Sequence, residues 1–131
     1  MIVDTSALIA IIKLEPEAAD IAAALSRADS VSISAASYVE AGIIADRMSD
    51  PVIARKLDDL LRIHDMEIIE VTASQANRAR QAYRDFGKGG GHPAQLNFGD
   101  CFSYALAAER HEPLLFKGDD FVQTDLTSAL S

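Results

Sequence analysis

The chain has 131 residues, 49% of them hydrophobic, enough to bury the core of a single domain. Its longest apolar run, Ala7 to Ile12, stops at Lys13, which excludes a membrane-spanning helix. The formal net charge of −8, from 20 acids against 12 Lys and Arg, argues against unspecific attachment to DNA or anionic membranes; a nucleic-acid substrate stays open if bound metal neutralises some of the acids.

In chain order, Ile2 to Asp4 reads as a short buried strand and Ser6 to Lys13 as a helix apolar on most sides. Pro16 fits the first turn of a second helix running to about Arg27, where its missing N–H is unpaired anyway. Val31 to Ser34 alternates like a strand, and a helix follows from about Ser37 to Arg47. Ser49–Asp50–Pro51 stops and restarts the chain. Val52 to His64 then carries Ile53, Leu57, Leu60 and Leu61 at helical spacing. Glu67 to Val71 is a strand candidate. Thr72 and Gln75 match a capping box that opens a helix to about Phe86. Three consecutive glycines and a proline make Gly87 to Leu96 a flexible loop. A helix resumes near Phe98 and runs to His111. Leu114 to Phe116 is a short apolar strand, Gly118–Asp119–Asp120 a turn, and the tail from Thr124 a short element or a frayed end. No repeat and no linker divides the chain, so residues 1–131 form one domain. The N-terminus has neither a charged n-region nor a cleavage site, and the single cysteine, Cys101, allows no internal disulfide; a cytoplasmic protein is expected.

Short apolar strands alternating with amphipathic helices imply an α/β fold with a parallel sheet covered on both faces. In such folds ligands bind beyond the carboxyl ends of the strands. The acids fall there. Asp4 ends the first strand, Glu40 lies one turn into the helix after the second, Asp100 begins the helix after the glycine loop, and Asp119 and Asp120 follow the last strand. Unpartnered carboxylates gathered at one edge repel and resist ionisation. A hard divalent cation such as Mg²⁺ or Mn²⁺ removes that cost, and it keeps open positions for water and a phosphate oxygen. Phosphodiester hydrolysis suits such a site. Each acid also has a purely structural alternative. Asp4 can cap the helix at Ser6, Glu40 completes a capping box with Ser37, Asp100 pairs with Asn97, and Asp119 or Asp120 can form an Asx-turn. Capping does not explain why four acids share strand-to-helix junctions.

Four segments together resemble the PIN-domain family, and within it the VapC-type toxins of bacterial toxin–antitoxin modules. They are MIVDTSAL, the helix with Ser37–Glu40 (SYVE), Leu96–Ala107 (LNFGDCFSYALA) and Leu114–Leu126 (LLFKGDDFVQTDL). The resemblance spans essentially the whole chain. It implies a three-layer α/β/α fold with a central parallel sheet and a Mg²⁺- or Mn²⁺-dependent endoribonuclease that stops translation. On it, Asp4, Glu40 and Asp100 take the family's acidic positions. Asp119 is favoured as the fourth acid over the adjacent Asp120. Asp4, Asp100 and Asp119 are the first candidates as metal ligands, with Glu40 and Asp120 behind them. Ser6 matches a small hydroxyl residue that hydrogen-bonds within the site. The resemblance further implies an RNA substrate such as tRNA or rRNA and a VapB-type antitoxin. It also implies homodimers that pair further with antitoxin, and operator DNA bound only through the antitoxin.

Arg80, Arg84 and Lys88 keep i,i+4 spacing, with Arg78 nearby. They are either a solvated helix face or an edge that follows the RNA backbone. His64, His92 and His111 share no ligand spacing, and Cys101 reads as packing. Tyr38, Ile43 and Ile44 read as core with an alternative role in an antitoxin groove. Two rivals remain. A phosphatase forming an aspartyl-phosphate on Asp4 would want an acid where Ser6 stands. A catalytically silent module that acts with an antitoxin in transcriptional autoregulation would tolerate loss of Asp4.

Overall fold

Each strand is short and passes its chain on at the same edge of the sheet. In the computed structural model, which describes residues 1–130, β1 (Ile2–Val3), β2 (Ser32–Ser34), β3 (Glu67–Ile69) and β4 (Leu114–Leu115) pair in the order β3-β2-β1-β4, all parallel. Six helices accompany them among the described residues: α1 (Thr5–Ile12), α2 (Ala18–Arg27), α3 (Ala35–Arg47), α4 (Pro51–Ile63), α5 (Ala73–Phe86) and α6 (Phe98–Arg110).

Successive strand residues point to opposite faces of a sheet, and the core divides accordingly. Val3, Ile33 and Leu115 join Ala7, Leu8, Ile21, Leu25, Ala41 and Leu57, so α1 to α4 cover one face. Ile2, Ile69 and Leu114 join Ala79, Ala105, Leu106 and Ala107, so α5 and α6 cover the other. The architecture is the expected three-layer α/β/α sandwich. Two covered faces also explain why β1 and β4 are apolar throughout, whereas β2 alternates Ser–Ile–Ser and β3, at the sheet edge, exposes Glu67 and Ile68.

The helix starts are set by side chains that replace missing backbone partners. Ser34 accepts from the Ala36 N–H, Asp50 from Val52, Thr72 from Gln75, and Asn97 from Asp100. Pro51 occupies the first turn of α4, where it fits. Three boundaries differ from expectation. Strand β3 ends at Ile69 rather than Val71. Helix α3 begins at Ala35, not near Ser37, because Ser34 closes β2 and caps the helix in one residue. Helix α2 begins at Ala18, with Pro16 in the turn before it.

Two connections are more ordered than their composition suggests. The glycine loop is pinned at its neck: Lys88 N–H donates to the Leu96 carbonyl and Leu96 N–H to Phe86, each at 2.8 Å. His92 stands edge-on to Phe86, with ring centroids 5.0 Å apart, and Ala94 and Leu96 are buried. The tail returns along the sheet edge, where Leu114 N–H donates to Thr127 and Ala129 N–H donates to Leu114.

Strand order places the site. The chain steps from β1 outward to β2 and β3, then returns to lay β4 on the other side of β1. The reversal opens a crevice beyond the carboxyl ends of β1 and β4. Asp4 stands at that point, and its N–H donates to Leu115 at 2.9 Å.

Candidate active site

Asp4 leaves β1 and caps α1. It is 3% exposed, unusually low for an acid. Its Oδ2 accepts the Ser6 N–H at 3.0 Å, and its Oδ1 accepts the Ser103 hydroxyl at 2.6 Å. Both oxygens are therefore fixed by donors from two helices. The capping role foreseen as an alternative is real, and it orients the carboxylate rather than competing with a site.

Asp100 likewise does two things. Its backbone N–H donates to the Asn97 side chain at 2.9 Å, and its Oδ2 accepts the Asn97 N–H at 3.0 Å, a complete capping box. Its carboxyl is nonetheless pushed up from 3.8 to about 7. Burial is the main cause. The Asn97 N–H works against it, and the charges of Asp4, Asp120 and Glu40 add to it. Three acids from three other segments therefore act on Asp100.

Glu40 is half-buried on α3. Because α3 starts at Ala35, Ser37 lies inside the helix and makes no capping box with Glu40. The Glu40 carboxylate instead lies against the first turn of α6 at Gly99. A β-carbon on Gly99 would overlap Glu40 Oε2 and come within 2.9 Å of its Cδ. Gly99 leaves room for the acid.

Asp119 and Asp120 are exposed on the segment leaving β4. That segment is tied down on its near side. Lys117 N–H donates to the Ser6 hydroxyl at 3.0 Å, and the Lys117 ammonium pairs with Glu15 and lies 3.6 Å from Glu17. Ser6 thus serves the site with its amide on Asp4 and its hydroxyl on the loop that carries the last acids. Of the two neighbours, Asp120 adds its charge to those that push Asp100 up.

Sequence reasoning passed over Ser37, Ser103 and Gly99. Ser103 had a signal: a lone serine on the apolar stretch of α6, three residues after Asp100. Cys101 is buried, its thiol donates to the Asn97 carbonyl at 3.3 Å, and burial followed by the Asp100 charge pushes it up to about 11, so it packs rather than reacts. Arg80, Arg84 and Lys88 are all exposed. Arg80 and Arg84 line an α5–α6 groove of about 580 Å³ with Tyr83, Phe98 and Phe102, beside the α6 start; Lys88 is outside it. Tyr38 and Ile44 pack on the core, whereas Ile43 is 49% exposed.

Among the described residues, no three of these acids are arranged to hold one ion together as they lie. The first-choice ligand set Asp4, Asp100 and Asp119 is therefore not a preformed cage. Asp100 instead turns its Oδ2 toward the Asn97 N–H. The donor chemistry still fits a hard cation. All the donors are oxygens, Asp4 and Asp100 are buried, Asp100 at a cost that a cation would relieve, and Mg²⁺ binds through one or two carboxylates while keeping its waters.

The family model for the PIN domain matches residues 1–126. Ribonuclease VapC28 of Mycobacterium tuberculosis is 57% identical over 130 residues, covering 99% of this chain and 98% of the relative. Among solved structures, M. tuberculosis VapC20, a toxin that cleaves the sarcin–ricin loop, shares the fold with a TM-score of 0.76 at 16% identity, over 96% of this chain and 95% of that one. A toxin–antitoxin complex from Klebsiella pneumoniae contains a chain with the same fold, with a TM-score of 0.68 at 18% identity, over 92% of this chain and 88% of that one.

Proposed function

The chain belongs to the PIN-domain family as a VapC-type endoribonuclease toxin, and from that premise we propose that Asp4, Glu40, Asp100 and one acid of the Asp119–Asp120 pair, Asp120 by preference, form its catalytic centre. Convergence carries this reading. Asp4 from the end of β1, Glu40 from α3 and Asp120 from beyond β4 all act on Asp100 at the start of α6.

Activity in this family depends on a divalent metal; we take Mg²⁺ as the resident ion, with Mn²⁺ as the alternative, because every donor is a hard oxygen. When bound, such an ion lowers the pKa of a water and offsets charge that builds on phosphorus. The protein's own share is placement. Ser6 and Ser103 hold Asp4 at both oxygens, and each oxygen keeps a second lone pair. Asp100 commits Oδ2 to Asn97 and leaves Oδ1 available. Glu40 rests against Gly99 at the α6 start, where a helix N-terminus favours negative charge. Without metal, Asp100 holds its proton until near neutrality. Metal binding must displace that proton, so affinity rises as pH climbs toward about 7 and levels off above it. The rise in Tm on adding Mn²⁺ is therefore expected to be larger at pH 8 than at pH 5.5. An equal rise at both would contradict the role given to Asp100.

The substrate is RNA; we take structured RNA, tRNA or rRNA, as its class, with Arg80 and Arg84 meeting the phosphate backbone beside the α6 start and Lys88 on the loop beyond. A VapB-type antitoxin neutralises it, homodimers pair further in that complex, and operator DNA is met only through the antitoxin. Among the described residues no helix is long and apolar enough to cross a membrane; a single cytoplasmic domain is the reading. The acid pair is tested by cleavage assays on purified RNA with Mg²⁺. Asp120→Asn is expected to slow cleavage about 100-fold or more and Asp119→Asn by less than about threefold. The reverse order would move the fourth acid to Asp119.

A further inference from the structure

Resting on the metal-centre reading above, we propose that Ser103, with Ser37 behind it, is a positioning residue that fixes the carboxylate of Asp4. The Ser103 hydroxyl lies 2.6 Å from Asp4 Oδ1 and 3.0 Å from the Ser37 hydroxyl, and the three side chains are buried, at 0%, 3% and 1% exposure for Ser103, Asp4 and Ser37. The polarity of this chain follows from proton counting. An ionised carboxylate only accepts, so Ser103 gives its one proton to Asp4, and Ser37 must donate to Ser103. The Ser37 carbonyl in turn accepts the Thr5 hydroxyl at 3.0 Å, which closes the circuit on the residue beside Asp4.

Ordinary helix behaviour does not account for this. A serine within a helix usually bonds back to a carbonyl of its own helix. Ser103 instead leaves α6 for a partner 99 positions away in sequence. Its neighbours Ala105, Leu106 and Ala107 are fully packed, and a hydroxyl there costs desolvation that alanine would avoid. With Ser6 holding Oδ2, turning the Asp4 carboxylate breaks two hydrogen bonds at once. The circuit also keys α3, the helix that carries Glu40, to α1 and α6. Ser103 thus sets the geometry in which Asp4 meets an ion without touching the ion or the RNA.

The test compares Ser103→Ala, Ser37→Ala and the distant cap variant Thr72→Ala with wild type. Three quantities are read: Mn²⁺ Kd by calorimetry, Tm in EDTA, and kcat and KM for RNA. Removing a partner that orients a metal ligand typically weakens metal binding or activity about 10- to 100-fold. Ser103→Ala is expected to weaken Mn²⁺ in that range and lower kcat in parallel, with KM within about twofold; Ser37→Ala, which leaves the Ser103–Asp4 bond in place, should weaken Mn²⁺ about threefold. Thr72→Ala should lower Tm and leave Kd alone, because it removes only the cap of α5. If Ser103→Ala binds Mn²⁺ within twofold of wild type, the proposal is overturned. If that variant does not fold, an unchanged Kd in Ser37→Ala overturns it instead. A wild-type protein that binds no Mn²⁺ would overturn the metal-centre reading, and the proposal with it.

Discussion

Asp100→Asn is expected to slow RNA cleavage about 1000-fold, the consequence of losing about 4 kcal/mol of transition-state stabilisation, while raising the Tm of the metal-free protein at pH 8. The two effects have one origin. The substitution keeps the shape of the side chain, and an amide oxygen still accepts the Asn97 N–H, so the capping box survives. Only the charge is lost. That charge is buried and faces Asp4, Asp120 and Glu40, which is why the Asp100 carboxyl is pushed up to about 7. The sign follows from linkage. An acid whose folded pKa lies above its ordinary value contributes no penalty below 3.8, and an increasing one as pH rises toward about 7. The Tm advantage of Asp100→Asn in EDTA should thus be small near pH 4 and full at pH 8. Added Mn²⁺ should reverse the ranking, because only wild type gains from it. Wild-type cleavage in the variant would remove Asp100 from the chemistry. A lower Tm at pH 8 would mean that its charge stabilises the fold.

Gly99→Ala separates site geometry from stability in a second way. Gly99 lies in the first turn of α6 with no positive φ, so the backbone itself tolerates alanine there. The new β-carbon meets the Glu40 carboxylate, the far end of a flexible side chain that can swing into solvent. The fold should therefore lose nothing, and Tm should stay level or rise. Cleavage should fall about 100-fold, because a misplacement of about 1 Å at a reacting centre costs that much. A variant with unchanged kcat would show that Glu40 need not sit against α6. One that fails to fold would show that Glu40 is held there more rigidly than its half-exposed position suggests.

The parts of this molecule legible from sequence are those governed by local chemistry. Period, caps and glycines located every strand and helix, and the rule that α/β sheets bind ligands beyond their strand ends singled out Asp4, Glu40 and Asp100 as candidates. What stayed hidden depends on tertiary direction. Asp119 and Asp120 are adjacent, so sequence spacing treats them alike, and only the folded loop decides which charge reaches Asp100. The α3 boundary moved because Ser34 serves as strand end and cap in a single residue, without the usual turn residues between. Pairing of the tail with β4 rests on backbone hydrogen bonds that leave no side-chain pattern. Ser103 was overlooked for the same reason: its partner, Asp4, is 99 positions away. Capping and a place in the proposed site do not exclude each other. Asp4 and Asp100 each cap a helix, and the cap is what aims each carboxylate.

The most direct test of the central claim, that these acids work together as a metal-dependent ribonuclease centre, is mapping of new 5′ ends in purified total RNA incubated with wild-type protein or Asp4→Asn. Wild type with Mg²⁺ should produce a small set of defined cleavage sites that disappear in EDTA and in the variant. Cuts at the same sites in EDTA, or by Asp4→Asn with undiminished rate, would contradict it.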